Sequence, residues 1–492
     1  MNTTPDRLRA LVDSLPTDLY IDGRWRSAST GDRFEVRDPA TGDLLTSVAD
    51  ASAEDGLAAL DAAERAQAGW AATSPRDRSE LLRAAFDAVV ARAEDFALLM
   101  TLEMGKSLAE SRGEALYGAE FLRWFSEEAV RIDGGYRTAP DGRNRLLVTK
   151  RPVGPSLLIT PWNFPLAMAT RKVGPALAAG CTSILKPASL TPLTTLLFTQ
   201  ILDEVGVPAG VVNAVPTRSA SRLSTPLLAD RRLRKLSFTG STEVGRRLLS
   251  QAGDNVLRTS MELGGNAPFL IFEDADLDAA VEGAMAAKFR NNGEACTAAN
   301  RFFVHEDVVD EFTARVTERA AALRLGAGTA DGTELGPLVD EDTRSKVHEL
   351  VSDAVAHGAV VHVGGDQTPG AGFFYPATVL TGAAPDARIH REEIFGPVIS
   401  IATFSEEAEA VRRANESDVG LAAYLFTRDI SRGLRLIEQL EYGMVGLNAG
   451  VISTPAAPFG GVKHAGLGRE GASVGIEEYL ETVYVGIGDP TA

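Results

Sequence analysis

Short apolar runs alternate with amphipathic stretches from residue 153 onward, whereas the pattern of the N-terminal third predicts helices. In that third, Ser74-Pro75-Arg76-Asp77 has the form of a capping box with proline at the first helical position, and it predicts a helix over Glu80–Ala93. The next apolar runs have the length of buried strands and lie at Ser156–Thr160, Ser183–Leu185, Val211–Val215 and Lys235–Phe238. With helices over Pro192–Val205 and Thr242–Gln251, they predict a doubly wound parallel sheet with ligands at the C-terminal ends of its strands.

A second alternating set follows residue 262 and predicts a second α/β domain. Its expected helices are Asp276–Phe289, Val308–Leu323, Thr343–Ala356 and Glu406–Asn415, and its expected strands are Arg301–Val304, Val398–Thr403 and Ala422–Phe426. Because 492 residues exceed what one hydrophobic core normally serves, two or three domains are expected.

Two segments fit neither alternating set. Tyr136–Val153 has the pattern of a hairpin that turns at Asp141-Gly142, and Glu481–Gly486 has the pattern of a strand without a local partner. An apolar edge strand has to be covered, so we expect these two segments to pair across a subunit boundary.

Composition and charge narrow the class of protein. A net charge of -18 argues against nucleic acid or an anionic membrane as a partner. Two cysteines cannot form a disulfide framework, which suits a reducing compartment. Met1–Tyr20 lacks the apolar stretch of a signal peptide, and no apolar run reaches the roughly 18 residues of a membrane span. We therefore expect a cytoplasmic protein that needs no metal.

Cys296 is the candidate nucleophile, in the run Asn291-Asn292-Gly293-Glu294-Ala295-Cys296-Thr297. A thiol nucleophile needs a base close in space, and Glu262 in Met261-Glu262-Leu263-Gly264-Gly265-Asn266 offers a carboxylate next to two small residues. The second cysteine, Cys181, ends an apolar run and has the pattern of an inert core residue.

Two strand-ending turns carry further candidate chemistry. In Phe238–Gly245, Gly240 lets backbone N–H groups approach a diphosphate, and the helix N-terminus beyond it favours negative charge. In Thr160–Pro165, two prolines hold the amide of Asn163 rigid, as an oxyanion donor requires. The alternatives are an ordinary strand-to-helix turn for the first and a helix-capping asparagine for the second.

Together these runs resemble the aldehyde dehydrogenase superfamily over about Leu19–Gly488. The resemblance implies that Cys296 is the nucleophile, Glu262 the base and Asn163 the oxyanion donor. It also implies a cofactor site in which Lys186 bonds the adenosine ribose, Glu393 holds the nicotinamide ribose and Phe395 packs on the nicotinamide. The other cofactor-binding residues implied are Thr160, Pro161, Trp162, Ser189, Gly240, Ser241 and Gly245.

The resemblance also implies an α/β fold with three parts: a doubly wound cofactor-binding domain, a second α/β catalytic domain and a β-hairpin oligomerisation arm. The corresponding ranges are 15–130 with 151–262, then 263–460, and 131–150 with 461–492. A homodimer or homotetramer is expected. A non-catalytic binding protein on the same fold is disfavoured, because Cys296, Glu262 and Asn163 are all present.

The sequence between these motifs is most similar to the succinate-semialdehyde dehydrogenase subfamily, at Ala169–Pro175, Lys288–Asn291, Gly446–Asn448 and Ala457–Gly461. That similarity implies that Arg171, Arg290 and Ser453 bind the distal carboxylate of the substrate, and the planar fork of arginine suits such a group. Two alternatives remain: arginines that are merely exposed on helices, and a different ω-carboxy aldehyde such as glutarate semialdehyde.

The expected cofactor is NADP or NAD, with NADP favoured. A glutamate at position 189 would repel a 2′-phosphate, whereas Ser189 leaves room and a hydroxyl, and Arg218 and Arg222 add cations beside the adenine site. Glu294 replaces the glutamine usual in the superfamily, and we expect its charge to raise the pKa of Cys296.

Overall fold

The computed structural model describes residues 5–488. Its α-helices are α1 Pro5–Asp13, α2 Ala53–Ala72, α3 Pro75–Ala91, α4 Ala93–Met104, α5 Leu108–Glu128, α6 Pro165–Ala179, α7 Pro192–Glu204, α8 Ala220–Ala229, α9 Thr242–Gly253, α10 Leu277–Phe289, α11 Val309–Ala321, α12 Glu341–Ala356, α13 Glu407–Asn415, α14 Ile430–Gln439 and α15 Val474–Glu477.

The strands are β1 Leu19–Ile21, β2 Arg24–Arg26, β3 Arg33–Arg37, β4 Leu44–Ala49, β5 Gly135–Thr138, β6 Asn144–Pro152, β7 Ser156–Ile159, β8 Ser183–Lys186, β9 Val212–Ala214, β10 Lys235–Thr239, β11 Arg258–Glu262, β12 Ala267–Ile271, β13 Ala299–His305, β14 Val360–Val363, β15 Thr378–Thr381, β16 Val398–Phe404, β17 Val419–Gly420, β18 Ala422–Phe426, β19 Met444–Leu447, β20 Val462–Lys463, β21 Gly466–Leu467 and β22 Leu480–Gly488. No helix among residues 5–488 is long and apolar enough to cross a bilayer.

The first large sheet confirms the doubly wound prediction. Its strand order is β2-β1-β9-β8-β7-β10-β11-β21, and the five strands from β9 to β11 run parallel. Successive residues of β7 face opposite sides: Leu158 packs with α6 and α7, and Leu157 packs with α2, α8 and α9. Both faces are therefore covered, as a parallel sheet requires.

The second large sheet has the order β14-β15-β16-β13-β12-β18-β19 and is parallel except for β14. Phe269 on the inner strand β12 stacks against Phe302 at 5.0 Å and Phe426 at 4.9 Å between ring centroids. The sheet thus contains a stack of aromatic rings. The three strands expected from sequence, β13, β16 and β18, lie within two residues of their expected ranges, whereas β12, β14, β15 and β19 were not predicted.

The N-terminal third is less purely helical than its pattern predicts. Strands β1 to β4 were missed because three to six residues are too few to show a period. Helix α3 begins at Pro75, five residues before the expected start, and Ser74 caps it by accepting from the Asp77 N–H at 3.1 Å.

The expectation that the C-terminal strand pairs across a subunit boundary with the hairpin is wrong. Strand β22 pairs antiparallel with β6 of the same chain, from Leu480 opposite Pro152 to Gly488 opposite Asn144. The β5–β6 hairpin leaves the outer edge of β6 free, and α15 returns the chain to that edge. The proposed domain boundaries stay a prediction, and residues 489–492 of the last range lie outside the described residues.

The link between β11 and β12 joins the two sheets through a tight passage. A Cβ atom on Gly265 would lie 2.3 Å from the carbonyl oxygen of Cys296, so only glycine lets the two backbones approach this closely.

Gly265→Ala is expected to lower the free energy of unfolding by about 1–3 kcal/mol, because backbone has to move to admit the methyl group. Chemical denaturation measures this change. Gly113→Ala is the matched control: it lies on the exposed side of α5 with nothing within 4 Å of the new Cβ, and it should be neutral or slightly stabilising. Equal effects of the two substitutions would contradict the close approach.

Candidate active site

Three neighbouring parallel strands of the first sheet end at one place. Strand β7 leads into Thr160–Asn163, β10 ends at Thr239, and β11 ends at Glu262 directly opposite Thr239. The loop that carries Cys296 reaches the same place from the second sheet, between α10 and β13. Ligands bind at such strand ends in doubly wound sheets, so the topology alone marks this edge.

A cavity of about 250 Å³ occupies this edge and brings together eight of the residues expected from sequence. They are Trp162, Asn163, Gly240, Ser241, Glu262, Cys296, Glu393 and Phe395. A larger cavity of about 610 Å³ beside α11 contains none of the candidate residues.

The loop before Cys296 turns sharply through three residues with left-handed backbone. Asn291, Asn292 and Gly293 have φ angles of 57°, 58° and 75°. Asn291 holds the turn by donating from Nδ2 to the Glu294 carbonyl at 2.9 Å and to the Asn163 carbonyl at 3.1 Å. Left-handed conformations suit asparagine and glycine, which explains why this run carries them.

Asn163 lies two residues before α6, and its amide faces the Cys296 loop. Its Nδ2 donates to the Glu294 carbonyl at 3.0 Å, which uses one of its two N–H groups. Asn163 is 3% exposed and lines the cavity together with Cys296. The second N–H is therefore left for a ligand oxygen.

The pKa of the Cys296 thiol is raised to about 12, chiefly by burial and in part by the carboxyl groups of Glu393 and Glu262, against the guanidinium groups of Arg171 and Arg290. The expectation that Glu294 supplies this charge is not met. Its Oε1 accepts from the Val339 N–H at 3.0 Å, and burial raises the pKa of its carboxyl well above the usual range, which favours the neutral acid.

Glu262 is 3% exposed, and within the described chain neither of its carboxyl oxygens has a hydrogen-bond partner. Burial and the nearby charge of Glu470 raise its pKa well above the usual range, against Lys172 and Arg171. Lys172 and Glu470 are themselves paired, at 2.7 Å. Glu262 is thus a buried carboxyl group that lines the cavity and holds a proton more firmly than an exposed carboxyl group does.

The residues expected to bind the cofactor form a strand-to-helix turn, a contact between two aromatic rings and a buried carboxyl group. Gly240 donates its N–H to the Glu262 carbonyl at 3.0 Å, and Ser241 caps α9. A Cβ on Gly245 would lie 2.3 Å from the Leu263 side chain, so this glycine lets α9 approach the sheet.

Phe395 and Trp162 meet edge to face at 5.3 Å in the cavity wall. Glu393 accepts from the Gly265 N–H at 3.2 Å, and burial raises its pKa to about 7. Thr239 Oγ1 in the same wall is buried without a partner in the described chain. Aromatic edges, a carboxyl group and an unpartnered hydroxyl around 250 Å³ fit a nicotinamide riboside.

Lys186, Ser189, Thr160 and Pro161 lie at the adjacent strand ends and do not line this cavity. The Lys186 carbonyl accepts from the Thr160 N–H at 3.2 Å, and burial lowers the pKa of the Lys186 ammonium to about 8. They border the place where the far half of a dinucleotide would lie.

The turn at residues 216–222 is at this edge because β9 is the parallel neighbour of β8. Asp50 organises it by accepting from Thr217 Oγ1 at 2.7 Å and from the Arg218 N–H at 3.0 Å. Arg222 lies 3.6 Å from the same carboxylate. Arg222 is thus partly occupied, which leaves the side chain of Arg218 as the better candidate for a phosphate.

Arg171, Arg290 and Ser453 line a second, smaller cavity with Cys296. Arg171 is 1% exposed and lies 4.0 Å over the Phe459 ring. Met168 and Cys296 line both cavities, so the thiol stands where the two meet.

Tyr117 on α5 belongs to this second cavity and was missed in the sequence. Its hydroxyl accepts from Arg171 Nη2 at 2.8 Å and lies 2.5 Å from Ser453 Oγ. A tyrosine in an amphipathic helix has the pattern of a core residue, and no motif surrounds it. The geometry therefore shows a polar trio, Arg171, Tyr117 and Ser453, facing the thiol.

Comparisons with known proteins agree with this geometry. Residues 25–485 match the model of the aldehyde dehydrogenase family. The chain is 62% identical over 447 residues to a succinate-semialdehyde dehydrogenase of Paenarthrobacter nicotinovorans, covering 91% of this chain and 99% of that protein. It is 46% identical over 469 residues to a glutarate-semialdehyde dehydrogenase of Pseudomonas aeruginosa, covering 95% and 97%.

A crystal structure of an NADP-dependent enzyme of E. coli superposes with a TM-score of 0.96 at 46% identity, covering 99% of this chain and 100% of that one. With a matched family model over nearly its whole length, a similar fold and the cysteine, glutamate and asparagine gathered in one cavity, the chain belongs to the aldehyde dehydrogenase family.

Proposed function

We propose that this enzyme oxidises succinate semialdehyde to succinate, with NADP or NAD as the hydride acceptor. The observation that carries the proposal is the position of Cys296 between two cavities. One has the lining that a nicotinamide needs, and the other is lined by the guanidinium groups of Arg290 and of Arg171, which also lies 3.4 Å from the Glu470 carboxylate. The name of the Paenarthrobacter relative supports the same substrate.

In the proposed reaction, the Glu262 carboxylate takes the proton of the Cys296 thiol and passes it to solvent, and Cys296 Sγ attacks the aldehyde carbon to form the oxyanion of a thiohemiacetal. The free N–H of the Asn163 amide and the backbone N–H of Cys296 are proposed to donate to the oxyanion. Such donors are effective because they already point to the place where the negative charge develops. Trp162, Glu393 and Phe395 would hold a nicotinamide in the 250 Å³ cavity, where it would supply the hydride acceptor. Loss of the hydride from the substrate carbon leaves a thioester on Cys296.

Glu262 is proposed as the base for hydrolysis of the thioester. Its carboxylate takes a proton from water, the resulting hydroxide attacks the acyl carbon, and the acid leaves as Cys296 regains its thiol. The raised pKa suits this work, because the ionised carboxylate then holds a transferred proton more firmly.

Arg290 and Arg171 are proposed to bind the substrate's carboxylate. In the described chain Arg290 forms no salt bridge, although the charge of Glu110 acts on it, and it lies over the Phe164 ring at 5.5 Å. Arg290 can therefore pair with the incoming carboxylate, while Ser453 and Tyr117 hold Arg171 in place beside it.

Glutarate semialdehyde is the second candidate substrate, favoured by the 46% identity to the Pseudomonas aeruginosa enzyme. It carries the same two functional groups on a chain one carbon longer. The ratio of kcat/KM for the four- and five-carbon semialdehydes decides between the two.

For the cofactor we propose that NADP is used well. Ser189 and Lys186 surround the expected ribose with a hydroxyl and a cation, and Arg218 is available from the neighbouring turn. The solved E. coli relative is described as NADP-dependent, which supports this preference.

We further propose that the protein works in the cytoplasm as a homo-oligomer. The three-stranded sheet of β22, β6 and β5 exposes an apolar row in which Tyr136, Leu147 and Val485 stand side by side. Tyr136 is 66% exposed and Val485 is 38% exposed, so a second copy of the chain would bury them. The mass in solution distinguishes a dimer from a tetramer.

The raised pKa of Cys296 leads to a prediction for the free enzyme. Only the thiolate reacts with iodoacetamide, so the rate of alkylation should rise about tenfold per pH unit from pH 7 to 9 and show no plateau there, unlike a free thiol of pKa near 8.5. Mass spectrometry follows the modification. Cys296→Ala is the control, since Cys181 is buried. A plateau below pH 9 would contradict the neutral thiol.

Arg290→Ala tests whether Arg290 binds the substrate's carboxylate and, with it, the proposed substrate class. Losing one side of a charge-assisted pair costs about 2–5 kcal/mol, so kcat/KM for succinate semialdehyde should fall about 30-fold or more. For butanal, which lacks the carboxylate, it should change little. Steady-state kinetics with both aldehydes measure this, and Arg319→Ala on the outer side of α11 is the control. Equal losses for the two aldehydes would mean that Arg290 maintains the conformation of the Cys296 loop and does not bind the carboxylate.

Ser189→Glu tests the cofactor proposal. The new carboxylate would repel a 2′-phosphate, so kcat/KM for NADP should fall by at least about tenfold while that for NAD holds or rises. Arg218→Ala should lower NADP use in the same direction, and Arg222→Ala should lower it less. If neither cofactor responds to Ser189→Glu, position 189 does not face the ribose.

A further inference from the structure

Helix α5 presents one face to the second cavity and to the turn that carries Asn163. Glu110, Glu114, Tyr117 and Phe121 follow one another at helical spacing. The charge of Glu110 acts on Arg290, Tyr117 bonds Arg171, and the Phe121 ring lies 5.0 Å below the Arg171 guanidinium. Glu114 is the member of this row whose connection to the chemistry is least direct.

Glu114 forms an ion pair with Lys106 in the interior of the protein. The two side chains are 1% and 0% exposed, and Lys106 Nζ donates to Glu114 Oε2. Such a pair is costly to bury, because both charges lose their water. It persists only where further hydrogen bonds satisfy the remaining donors and acceptors.

Those further bonds all go to one turn of the backbone. Lys106 Nζ donates to the Asn163 carbonyl at 2.8 Å and lies 4.4 Å over the Phe164 ring. The other oxygen of Glu114, Oε1, accepts from the N–H groups of Leu166 at 3.0 Å and Ala167 at 3.1 Å. One ion pair thus holds both ends of the stretch from Asn163 to the first turn of α6.

The Asn163 carbonyl also accepts from Asn291 Nδ2 at 3.1 Å, so it is fixed from two sides. Fixing this peptide fixes the direction in which the Asn163 side chain leaves the backbone. A donor to an oxyanion must be held to within about 0.5 Å to be fully effective. A charged donor holds a buried carbonyl more firmly than a neutral one.

We propose that Lys106 and Glu114 are positioning residues that hold the Asn163 amide toward the oxyanion formed at Cys296. They line neither cavity, and their bonds reach the site through the Asn163 carbonyl and the first turn of α6. The proposal rests on the proposed aldehyde oxidation, in which Asn163 stabilises the thiohemiacetal.

A double-mutant cycle tests this route of action. The combined variant Lys106→Met/Glu114→Gln removes both charges together, and the amide oxygen of the introduced glutamine can still accept from the N-terminus of α6. The rate of cofactor reduction in the first turnover is measured with saturating aldehyde in two backgrounds, wild type and Asn163→Ala. In the wild-type background we expect a loss of about 10- to 100-fold.

In the Asn163→Ala background the same pair of substitutions should cost less than about threefold, because the group that they position is already gone. Dissociation constants of NADP and NAD should stay within about twofold of wild type, which a general loss of structure would not allow. Glu114→Gln alone should give a smaller loss in the same direction, since the Lys106 bond to Asn163 remains.

Lys235→Met is the matched control, because Lys235 is equally buried but lies at the start of β10, away from the candidate site. It donates to Ser260 Oγ on the neighbouring strand β11. The substitution should leave the first-turnover rate within about threefold. Equal losses in the two backgrounds overturn the positioning role and leave the proposed oxidation standing. A wild-type protein that reduces neither cofactor with any aldehyde overturns the proposed oxidation, and this inference with it.

Discussion

The hydrogen bond from the Asn163 amide to the Glu294 carbonyl joins the two halves of the site. Asn163 stands at the end of a strand of the first sheet, and Glu294 lies in the loop that leads into the second sheet. Most residues expected to bind the cofactor are on one side of this bond, and the thiol, Glu393 and Phe395 are on the other. Because Asn291 and Lys106 also bond the Asn163 main chain, the turn and the loop are fixed as one unit. The position of Cys296 relative to everything else depends on that unit.

Charged groups of both signs surround the Cys296 thiol and shift its pKa in opposite directions. Glu262 and Glu393 favour the neutral thiol, whereas Arg171 and Arg290 favour the thiolate. Occupying Arg290 with a carboxylate therefore weakens a force that stabilises the thiolate, while a ligand at Glu393 weakens an opposing one. The reactivity of Cys296 is thus coupled to the occupancy of both cavities.

Much of this arrangement could be predicted from the sequence, because its signals are local. The turns after β7 and β10 and the run before Cys296 depend on glycine, proline and asparagine at fixed spacing, and Cys296, Glu262 and Asn163 do meet. What failed depends on distant partners. The orientation of the Glu294 side chain depends on its hydrogen bond to the Val339 N–H, and β22 pairs with β6 over 300 residues earlier in the chain. The polar face of α5 has the sequence pattern of an ordinary exposed helix surface. Tyr117, Lys106 and Glu114 could be found only in three dimensions.

The pairing of β22 with β6 has a consequence for the order in which the chain folds. Residues 144–152 leave the ribosome long before residues 480–488 exist, so β6 keeps an open edge for most of synthesis. Strand β11, which ends in Glu262, likewise waits for β21 at Gly466–Leu467. Until residues 466–488 have been synthesised, β6 therefore lacks β22 and β11 lacks β21. Removing residues 466–488 would expose an edge of the three-stranded sheet and an edge of the strand that carries Glu262 together.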